Sequence, residues 1–256
     1  MTALITGASA GLGVQFARLF AKDKIPLVLI ARREDRLQKL KGELEKDFGV
    51  RVDVIALDLT LPDSVSFVME FLKRRQIEID YLVNNAGFGQ SGDFSDITLK
   101  MNLGQIDLNV RALTELTHRL LPPMIRKRSG RILNLGSTAG DQPGPFMTVY
   151  YASKAYVNSF SEALHYELKG TGVTVTLSCP GPTLTEFAKV SNVENMKLFE
   201  MNAMASGIVA RQAYQAMMKG TRRITHGSRN KIASQLSRLS PRSMVIRIVA
   251  RLNSSK

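Results

Sequence analysis

A glycine-rich loop near the start of the chain is the feature that most restricts its fold. Residues 2–6 form a short apolar run that predicts a buried strand, and residues 14–20 have the apolar spacing of an amphipathic helix. Between them lie Gly7, Gly11 and Gly13. A strand, a glycine loop and a helix in this order place a phosphate at the helix N-terminus, which is typical of a dinucleotide site. On this segment alone, an ordinary glycine-rich turn remains the alternative.

The strand and helix alternation that begins here continues along the chain. Five further strands are predicted, over residues 26–31, 52–57, 80–83, 131–135 and 173–178. Helical patterns cover residues 33–48, 62–75 and 98–127, with an interruption expected near Pro122 and Pro123, and a further helix that carries Tyr150 ends near Lys169. This order predicts an α/β fold with a doubly wound parallel sheet of the Rossmann type. For 256 residues we expect one catalytic domain over 1–226, and a basic helical C-terminal extension of the same domain over 227–256.

Two arginines indicate which dinucleotide the chain binds. In such folds an acid near the end of the second strand binds the ribose 2′-hydroxyl, whereas arginine accommodates a 2′-phosphate. Arg32 and Arg33 directly follow residues 26–31, and a guanidinium group matches phosphate geometry. We therefore expect NADP (NADPH) rather than NAD as the cofactor. The alternative is that these arginines only begin the charged helix at 33–48.

A tyrosine and a lysine four residues apart, Tyr150 and Lys154, are candidates for acid–base chemistry. On a helix their side chains share one face. A phenol has a pKa of about 10, and a cation about 4 Å away favours its phenolate by roughly three pKa units at an effective dielectric near 20. Ser137, thirteen residues upstream, offers a hydroxyl that can hold a substrate oxygen. The spacing alone is a weak signal, since a surface pair on a helix has the same pattern.

Taken together, residues 2–225 resemble the short-chain dehydrogenase/reductase family. Residues 6–13 are similar to its cofactor motif, and Asn84-Asn85-Ala86-Gly87 is similar to the motif after its fourth strand. The resemblance implies a catalytic tetrad of Asn109, Ser137, Tyr150 and Lys154. The cofactor contacts expected from the loop, the arginines and the resemblance are Gly7, Ser9, Gly11, Leu12, Gly13, Arg32, Arg33, Asp58, Leu59, Asn85, Ala86, Gly87, Lys154, Pro180, Gly181 and Thr185.

The mechanism that the resemblance implies is hydride transfer between a nicotinamide and a carbonyl or carbinol carbon. Tyr150 would exchange the proton on oxygen, and Ser137 would position that oxygen. Lys154 would lower the pKa of Tyr150 and bind the nicotinamide ribose, while Asn109 would hold a water that links Lys154 to solvent. Tyr151 stands where the family usually has a small residue, but only Tyr150 has a lysine four residues on. Gly136 stands where many members have a second serine.

The segment from 184 to 206 is where this family usually places its substrate lid. Its large apolar residues are Phe187, Val190, Met196, Leu198, Phe199, Met201 and Met204. Methionine and aromatic side chains adapt to irregular apolar ligands, so we expect a bulky hydrophobic carbonyl or alcohol (a lipid-, steroid- or aromatic-like small molecule) as substrate, with Phe88 and residues 143–147 adding to its pocket. The alternative for the lid residues is that they only pack on the body of the protein. Reduction of a 3-oxoacyl thioester is one alternative. A non-catalytic NADP-binding regulator or scaffold is another.

The basic residues are concentrated at the end of the chain. Residues 201–256 contain eleven Lys and Arg and no acid, whereas the first 200 residues contain 24 basic and 22 acidic residues. Pro241 can begin a final helix. Its expected apolar stripe consists of Val245, Ile248, Val249 and Leu252. We expect this tail to pack, either across a subunit interface of a homo-oligomer (dimer or tetramer) or over part of the substrate cleft. Peripheral contact with an anionic membrane is the alternative, and no nucleic-acid partner is expected.

The remaining composition gives expectations about metals and location. The three histidines have no metal-ligand spacing, so no metal site is expected. Cys179 is the single cysteine, which excludes an internal disulfide and fits a reducing compartment. We therefore expect a cytoplasmic protein, with location at a membrane surface as the alternative.

Overall fold

A computed structural model of the chain describes residues 1–191, 193 and 203–254. Its nine strands in this part of the chain are β1 (Ala3–Thr6), β2 (Leu27–Ala31), β3 (Val52–Ala56), β4 (Tyr81–Asn84), β5 (Gly130–Leu135), β6 (Val173–Cys179), β7 (Thr183–Leu184), β8 (Met204–Ala205) and β9 (Arg223–Thr225). Seven of them form one parallel sheet in the order β3-β2-β1-β4-β5-β6-β9, and β7 pairs separately with β8. The doubly wound parallel sheet predicted from the sequence is confirmed.

Helices cover both faces of the sheet. They are α1 (Gly11–Lys22), α2 (Glu34–Phe48), α3 (Ser64–Arg74), α4 (Leu99–Ile106), α5 (Leu113–Arg126), α6 (Thr148–Glu167), α7 (Phe187–Val190), α8 (Ser206–Met218), α9 (Ser228–Leu239) and α10 (Arg242–Asn253). The apolar sides of α1, α2 and α8 pack on one face, and those of α3 and α5 pack on the other. Burial on both faces explains why β1 and β2 are continuous apolar runs rather than alternating ones.

The strand order reverses between β1 and β4, and this is where the fold leaves a crevice for a ligand. The loops after these two strands are tied together by Thr6. Its Oγ1 accepts hydrogen bonds from the backbone N–H groups of Asn85, at 3.0 Å, and Ala86, at 2.9 Å. The Asn85 side chain donates in return to the carbonyl oxygen of Thr6, at 2.8 Å. The glycine loop and the Asn-Asn-Ala-Gly segment therefore meet at one edge of the sheet.

The expected interruption at Pro122 and Pro123 is wrong. Helix α5 continues through both prolines to Arg126. The carbonyl groups that the prolines leave without a helical partner belong to His118 and Arg119, which are exposed, so water can satisfy them. The irregularity lies earlier, where a π-helical turn at Asp107–Ala112 joins α4 to α5.

The last strand and three helices were not fully predicted. β9, α8 and α9 have no counterpart in the sequence expectations, whereas α10 begins directly after Pro241 as expected. Within the expected apolar stripe of α10, Val245 and Val249 are buried against the body of the chain, whereas Ile248 is exposed. Of the expected lid, Met196, Leu198, Phe199, Met201 and the side chain of Val190 lie outside the described residues.

Candidate active site

A cavity of about 460 Å³ opens beyond the carboxyl ends of the central strands. Every predicted site residue lines it except Gly13 and Asn109. The cavity extends from Arg32 and Asp58 at one end to Tyr150 at the other, past the glycine loop and the loop after β4. Residues far apart in sequence are therefore brought to one continuous surface.

The glycine loop has the shape that a dinucleotide pyrophosphate requires. Gly7 and Gly11 have φ angles of +66° and +53°, which side chains disfavour. Gly13 lies beneath the cavity wall, where an added Cβ would come within 2.2 Å of the Gly7 carbonyl oxygen. Ala10 precedes α1 and offers no side-chain cap, so the first N–H groups of the helix remain available to an anion. The residues present fit the phosphate groups of NADP.

The far end of the cavity carries the arginines. The Arg33 guanidinium donates from Nε and Nη2 to the Ser9 hydroxyl, at 3.3 and 3.2 Å. Arg32 is largely exposed, and its Nη1 lies 4.0 Å from the carboxylate of Asp58. The Asp58 carboxylate also accepts hydrogen bonds from the backbone and hydroxyl of Thr60. Cationic and hydroxyl groups thus converge where a 2′-phosphate would be recognised.

Glu186 is a charged group at this end that sequence reasoning missed. Its carboxylate pairs with Arg33 at 2.8 Å and with Arg36 at 2.5 Å. These two guanidinium groups hold the pKa of Glu186 below its ordinary value. The available signal was weak, since Glu186 is simply the only acid between residues 168 and 193.

Ser137, Tyr150 and Lys154 meet at the other end of the cavity. The Lys154 Nζ donates to the Leu135 carbonyl oxygen at 2.7 Å and lies 5.8 Å from the centre of the Tyr150 ring. Burial lowers the pKa of Lys154 to about 8. Burial also raises the pKa of Tyr150, and the neighbouring Ser137 hydroxyl only partly opposes this. In the protein alone Tyr150 is therefore a protonated phenol at neutral pH.

The expectation that Lys154 lowers the pKa of Tyr150 is not met in the protein alone. The ammonium group donates a hydrogen bond to a backbone carbonyl and lies 5.8 Å from the centre of the Tyr150 ring. Loss of water from around Tyr150 has the larger effect and acts in the opposite direction. The arrangement offers a proton donor to an oxygen in the cavity.

Asn109 lies behind the cavity wall, in the π-helical turn. Its Nδ2 donates to the Phe88 carbonyl oxygen at 2.9 Å and to the Ser153 hydroxyl at 3.0 Å, and its Oδ1 accepts from the Phe88 N–H at 3.1 Å. Its Oδ1 and the Lys154 Nζ approach the same side of Gly87, within 3.0 and 3.4 Å of an added Cβ. The residue supports the loop after β4, and its expected water-holding role stays a prediction.

Asn158 holds the backbone of Ser137 from both sides, and sequence reasoning missed it. Its Nδ2 donates to the Ser137 carbonyl oxygen at 3.0 Å, and its Oδ1 accepts from the Ser137 N–H at 3.4 Å. An added Cβ on Gly136 would lie 2.2 Å from that Oδ1. This contact explains why glycine stands where relatives often carry serine. The spacing of Tyr150, Lys154 and Asn158 places them on one helix face, but it does not indicate the contact with Ser137.

A buried carboxylate, Asp141, connects the turn after Ser137 to the C-terminal part of the chain. It accepts hydrogen bonds from Arg223 at 2.6 and 2.9 Å and from Arg238 at 3.3 Å. Ser234 donates to it as well. The Asp141 side chain is only 1% exposed, so these cations supply the charge that its burial requires. The acid stands between two predicted catalytic residues, but nothing in its sequence context identified its partners.

Apolar side chains surround Tyr150. The Phe187 ring lies 5.3 Å from the Tyr150 ring, and an added Cβ on Gly89 would lie 2.9 Å from a Tyr150 ring carbon. Phe88 and Met147 line the cavity as expected, whereas residues 143–146 do not. Leu252 of α10 also lines it.

Tyr151 has a structural place. Its ring is buried, and its hydroxyl donates to the Asn253 Oδ1 at 3.2 Å. Asn253 in turn donates to the Pro145 carbonyl oxygen at 3.0 Å, which anchors the end of α10. The choice of Tyr150 over Tyr151 as the proton-exchanging group agrees with these contacts.

Comparison with known proteins gives several similarities. A family model for short chain dehydrogenases matches residues 1–196. Sulfoacetaldehyde reductase 2 of Chromohalobacter salexigens is 41% identical over 189 residues, which cover 73% of this chain and 74% of that protein. Very-long-chain 3-oxoacyl-CoA reductase of Rattus norvegicus is 34% identical over 196 residues, covering 73% of this chain but only 61% of that protein.

The similarity extends to a solved structure. A short-chain dehydrogenase from Sphingobium yanoikuyae in complex with NADPH superimposes with a TM-score of 0.80 at 32% identity, covering 93% of both chains. A match over 93% of the chain extends past residue 196, where the family model ends.

Proposed function

This chain belongs to the short-chain dehydrogenase family, and we propose that it uses NADPH to reduce the carbonyl group of an apolar substrate to a secondary alcohol. It is an oxidoreductase, and its similarity to reductases and to an NADPH complex supports the cofactor assignment. The observation that carries the proposal is the shared cavity, in which Ser137, Tyr150 and Lys154 stand opposite the glycine loop and its arginines.

The roles of the residues follow from their surroundings. When bound, NADPH supplies the hydride. The Ser137 hydroxyl positions the substrate oxygen, and Tyr150, which burial keeps protonated, donates a proton to that oxygen as it becomes an alkoxide. Lys154 holds a positive charge close to Tyr150 and lies near Gly87, where the nicotinamide ribose is expected. A protonated phenol suits reduction better than oxidation, which would require Tyr150 to act as a base.

The remaining contacts bind and orient the cofactor. Gly7, Gly11 and the N-terminus of α1 would hold the pyrophosphate, and Arg32 and Arg33 with Ser9 would hold the 2′-phosphate. Pro180, Gly181 and Thr185 line the wall beside the glycine loop and Tyr150, where the nicotinamide end is expected. Asp58 and Leu59 complete the adenosine side of the cavity, and residues 85–87 line it between the glycine loop and Lys154.

Cofactor titration tests the proposal first. The chain has no tryptophan, so NADPH and NADH fluorescence can be followed without energy transfer from the protein's own indoles. We expect NADPH to bind at least tenfold more tightly than NADH, about 1.4 kcal/mol, and Arg32→Ala with Arg33→Ala to remove that preference. Equal affinities in the wild type would contradict the NADPH assignment, and no binding of either would contradict the whole proposal.

Reduction of a panel of hydrophobic ketones tests the reaction. Tyr150→Phe should lower kcat by about 10²- to 10⁴-fold, the usual contribution of a positioned acid, with NADPH affinity nearly unchanged. Tyr151→Phe is the matched control, because the hydroxyl it removes bonds to Asn253 rather than facing the reacting oxygen. Retained activity in Tyr150→Phe would assign the proton to another group.

A 3-oxoacyl thioester is the second candidate substrate. The similarity to a 3-oxoacyl-CoA reductase favours it, and the basic C-terminal region offers a surface for the phosphates of coenzyme A or for an acidic acyl carrier. Thioesters should then exceed ketones of matched chain length in kcat/KM, and the advantage should fall as Arg222 and other exposed cations are neutralised. An equal kcat/KM for thioesters and ketones would contradict a specific thioester site and would favour a simple ketone as the substrate.

The C-terminal helices also support a peripheral contact with an anionic membrane. Helix α9 is inverted: its polar side faces the protein and its apolar side faces solvent. Ser234 and Ser237 are buried, whereas Ile232, Leu236 and Leu239 are 60%, 57% and 84% exposed. Met244, Ile246 and Ile248 add exposed apolar surface on α10. Residues 201–256 contain eleven basic residues and no acid, so a second copy placed on this surface would bring like charges together. A bilayer of anionic lipid satisfies both the apolar and the charged features.

Vesicle sedimentation tests this contact. Within the described residues no helix is both long and apolar enough to cross a bilayer. Binding to phosphatidylglycerol vesicles should weaken with added salt and with Leu236→Asp. Leu61→Asp, which changes a leucine exposed elsewhere, should have no effect. Equal binding to phosphatidylcholine vesicles would contradict the contact as described.

A cytoplasmic location stays an expectation from the single cysteine.

A further inference from the structure

We propose that the Glu186 carboxylate occupies the arginines of the 2′-phosphate site when no cofactor is bound. The 2′-phosphate of NADPH displaces this carboxylate, whereas NADH leaves it in place. This inference rests on the proposed NADPH function and adds a residue that sets the degree of cofactor preference. It also assigns Arg36, which sequence reasoning missed, to the set of arginines that bind the 2′-phosphate.

The contacts of Arg33 carry the inference. Its Nε and Nη2 face the Ser9 hydroxyl, and its Nη1 donates to a carboxylate oxygen of Glu186 at 2.8 Å. The other oxygen of the same carboxylate accepts from Arg36 at 2.5 Å. Glu186 therefore holds two guanidinium groups as a phosphate would, with one oxygen on each. Arg33 and Glu186 line the same cavity, so this pair faces the space that the cofactor occupies.

A 2′-phosphate that approaches this arrangement competes with Glu186 for Arg33. Arg33 directs donors from both sides of its fork to existing acceptors, and a phosphate that approaches it meets the negative charge of Glu186. The low pKa of Glu186 means that the carboxylate is charged throughout the neutral range, so it does not yield by taking up a proton. Displacement of the carboxylate is the remaining route. NADH has a hydroxyl in place of the phosphate and does not compete for the arginines.

Glu186 is also the link between this site and the segment beside Tyr150. Its neighbour Thr185 contacts the glycine loop, where an added Cβ on Gly11 would lie 3.1 Å from the threonine side chain. Its other neighbour, Phe187, packs 5.3 Å from the Tyr150 ring. Release of Glu186 by the 2′-phosphate therefore removes one anchor from the segment that carries Phe187, whereas binding of NADH retains it.

The decisive experiment compares affinities for four ligands by titration, without turnover. The ligands are NADPH, NADH, adenosine 2′,5′-bisphosphate and AMP, and the proteins are the wild type, Glu186→Gln and Glu43→Gln. Glu43 is the matched control because it is an exposed acid paired with one arginine, Arg18, at 2.7 Å. The 2′-phosphate is the only difference in each pair of adenosine ligands, so the ratio of affinities within a pair reports on that group alone.

Glu186→Gln should raise the preference for the 2′-phosphorylated ligand by about three- to tenfold in both pairs, because two exposed ion pairs no longer oppose it. The gain should shrink at high salt. Glu43→Gln should leave both ratios unchanged. A change that is equal for the phosphorylated and unphosphorylated ligands would overturn the inference, since it would reflect only general charge or a local structural effect.

Further results distinguish failure of the Glu186 inference from failure of the proposed NADPH function. If the wild type prefers NADPH but Glu186→Gln leaves the ratio unchanged, the counter-ion role is wrong and the NADPH function stands. If the wild type binds neither dinucleotide, the proposed function itself fails. Thermal unfolding of each variant without ligand should match the wild type within about 2 °C, since an exposed pair contributes little to stability. A lower melting temperature together with weaker binding of all four ligands would also overturn the role.

Discussion

Burial controls the protonation of both central residues of the site. Tyr150 and Lys154 are each driven toward the neutral form, the phenol by keeping its proton and the amine by losing it more readily. With a pKa of about 8, Lys154 is mostly an ammonium group at pH 7 but gives up its proton more readily than an ordinary lysine. The negative charge of a bound cofactor would favour the ammonium form of Lys154, which links cofactor binding to readiness for catalysis.

Replacement of Lys154 should have opposite effects on activity and on stability. Lys154→Met should remove activity yet raise the free energy of unfolding at pH 7 by about 1–3 kcal/mol, because the buried ammonium is costly. The pKa of Lys154 is lowered from 10.5 to about 8, so the unfolded chain binds more protons between these values and the wild type gains stability with rising pH. Urea unfolding at pH 7, 9 and 10 should show the difference between the two proteins shrinking. A constant difference would show that the lysine is not the cause.

Gly136, which directly precedes Ser137, gives a second test at this scale. Gly136→Ser places a Cβ 2.2 Å from Asn158 and should cost about 1–3 kcal/mol of stability and reduce kcat through displacement of Ser137. Combined with Asn158→Ala, the substitution should cost much less than the sum of the two single changes. Gly42→Ser is the control, because no atom lies within 4 Å of its added Cβ. Additive effects would exclude the contact as the cause.

At the scale of elements, the Asp141 carboxylate joins three parts of the chain that are distant in sequence. It belongs to the short helical turn Thr138–Asp141 after β5, and it binds Arg223 of β9 together with Ser234 and Arg238 of α9. Ser137 directly precedes this turn and caps it, so the position of Ser137 depends on the docking of the C-terminal elements. This explains how residues beyond 196, outside the matched family region, contribute to the site.

Removal of the shared carboxylate should therefore have a large effect. Asp141→Asn leaves Arg223 without its buried partner and should destabilise the protein by about 3–5 kcal/mol. Arg238→Ala removes a half-exposed cation and should cost less than about 1 kcal/mol. Guanidinium chloride unfolding measures both. Equal and small effects would mean that the network does not hold the C-terminal elements in place.

Elements with a strong local pattern were predictable, and elements held by distant partners were not. The six strands from β1 to β6 are short apolar runs next to glycine or polar turns, and the sequence places them within about two residues of their observed bounds. β9 contains a single apolar residue, Ile224, between Arg223 and Thr225, and it forms through pairing with β6. The inverted helix α9 has its serines toward the protein, which is opposite to the orientation that an amphipathic pattern predicts.

The residues of the site also divide into those that the sequence predicted and those that it did not. The glycines, the arginines and the Ser, Tyr and Lys residues stand at spacings that point to one family, so they could be selected from the sequence. Asn158, Asp141 and Glu186 act through partners 21, 82 and 153 residues away, and no local spacing indicates those contacts. The direction of the Tyr150 pKa was also beyond reach, because it depends on burial that only the packed structure defines.

At the scale of the whole molecule, the charge and the apolar surface are divided between two regions. The C-terminal helices carry nearly all of the net positive charge, whereas the first 200 residues are close to neutral. A second apolar surface lies on this neutral body. It is formed by Leu99, Leu103 and Ile106 of α4 and by Tyr156 of α6, all of which are exposed. The near neutrality of the body makes this surface, rather than the tail, the better candidate for contact between copies of the chain.

The apolar surface on α4 and α6 should therefore set the oligomeric state. The exposed residues of α4 follow a spacing of four and three, so they form one stripe that a second copy can cover symmetrically. Leu103→Asp introduces a charge into that stripe and should shift the protein to monomers in light scattering after gel filtration at micromolar concentration. Leu236→Asp, on the basic tail, should leave the mass unchanged. Dissociation by the tail variant instead would place the subunit contact on α9, and the membrane surface proposed there would then be covered.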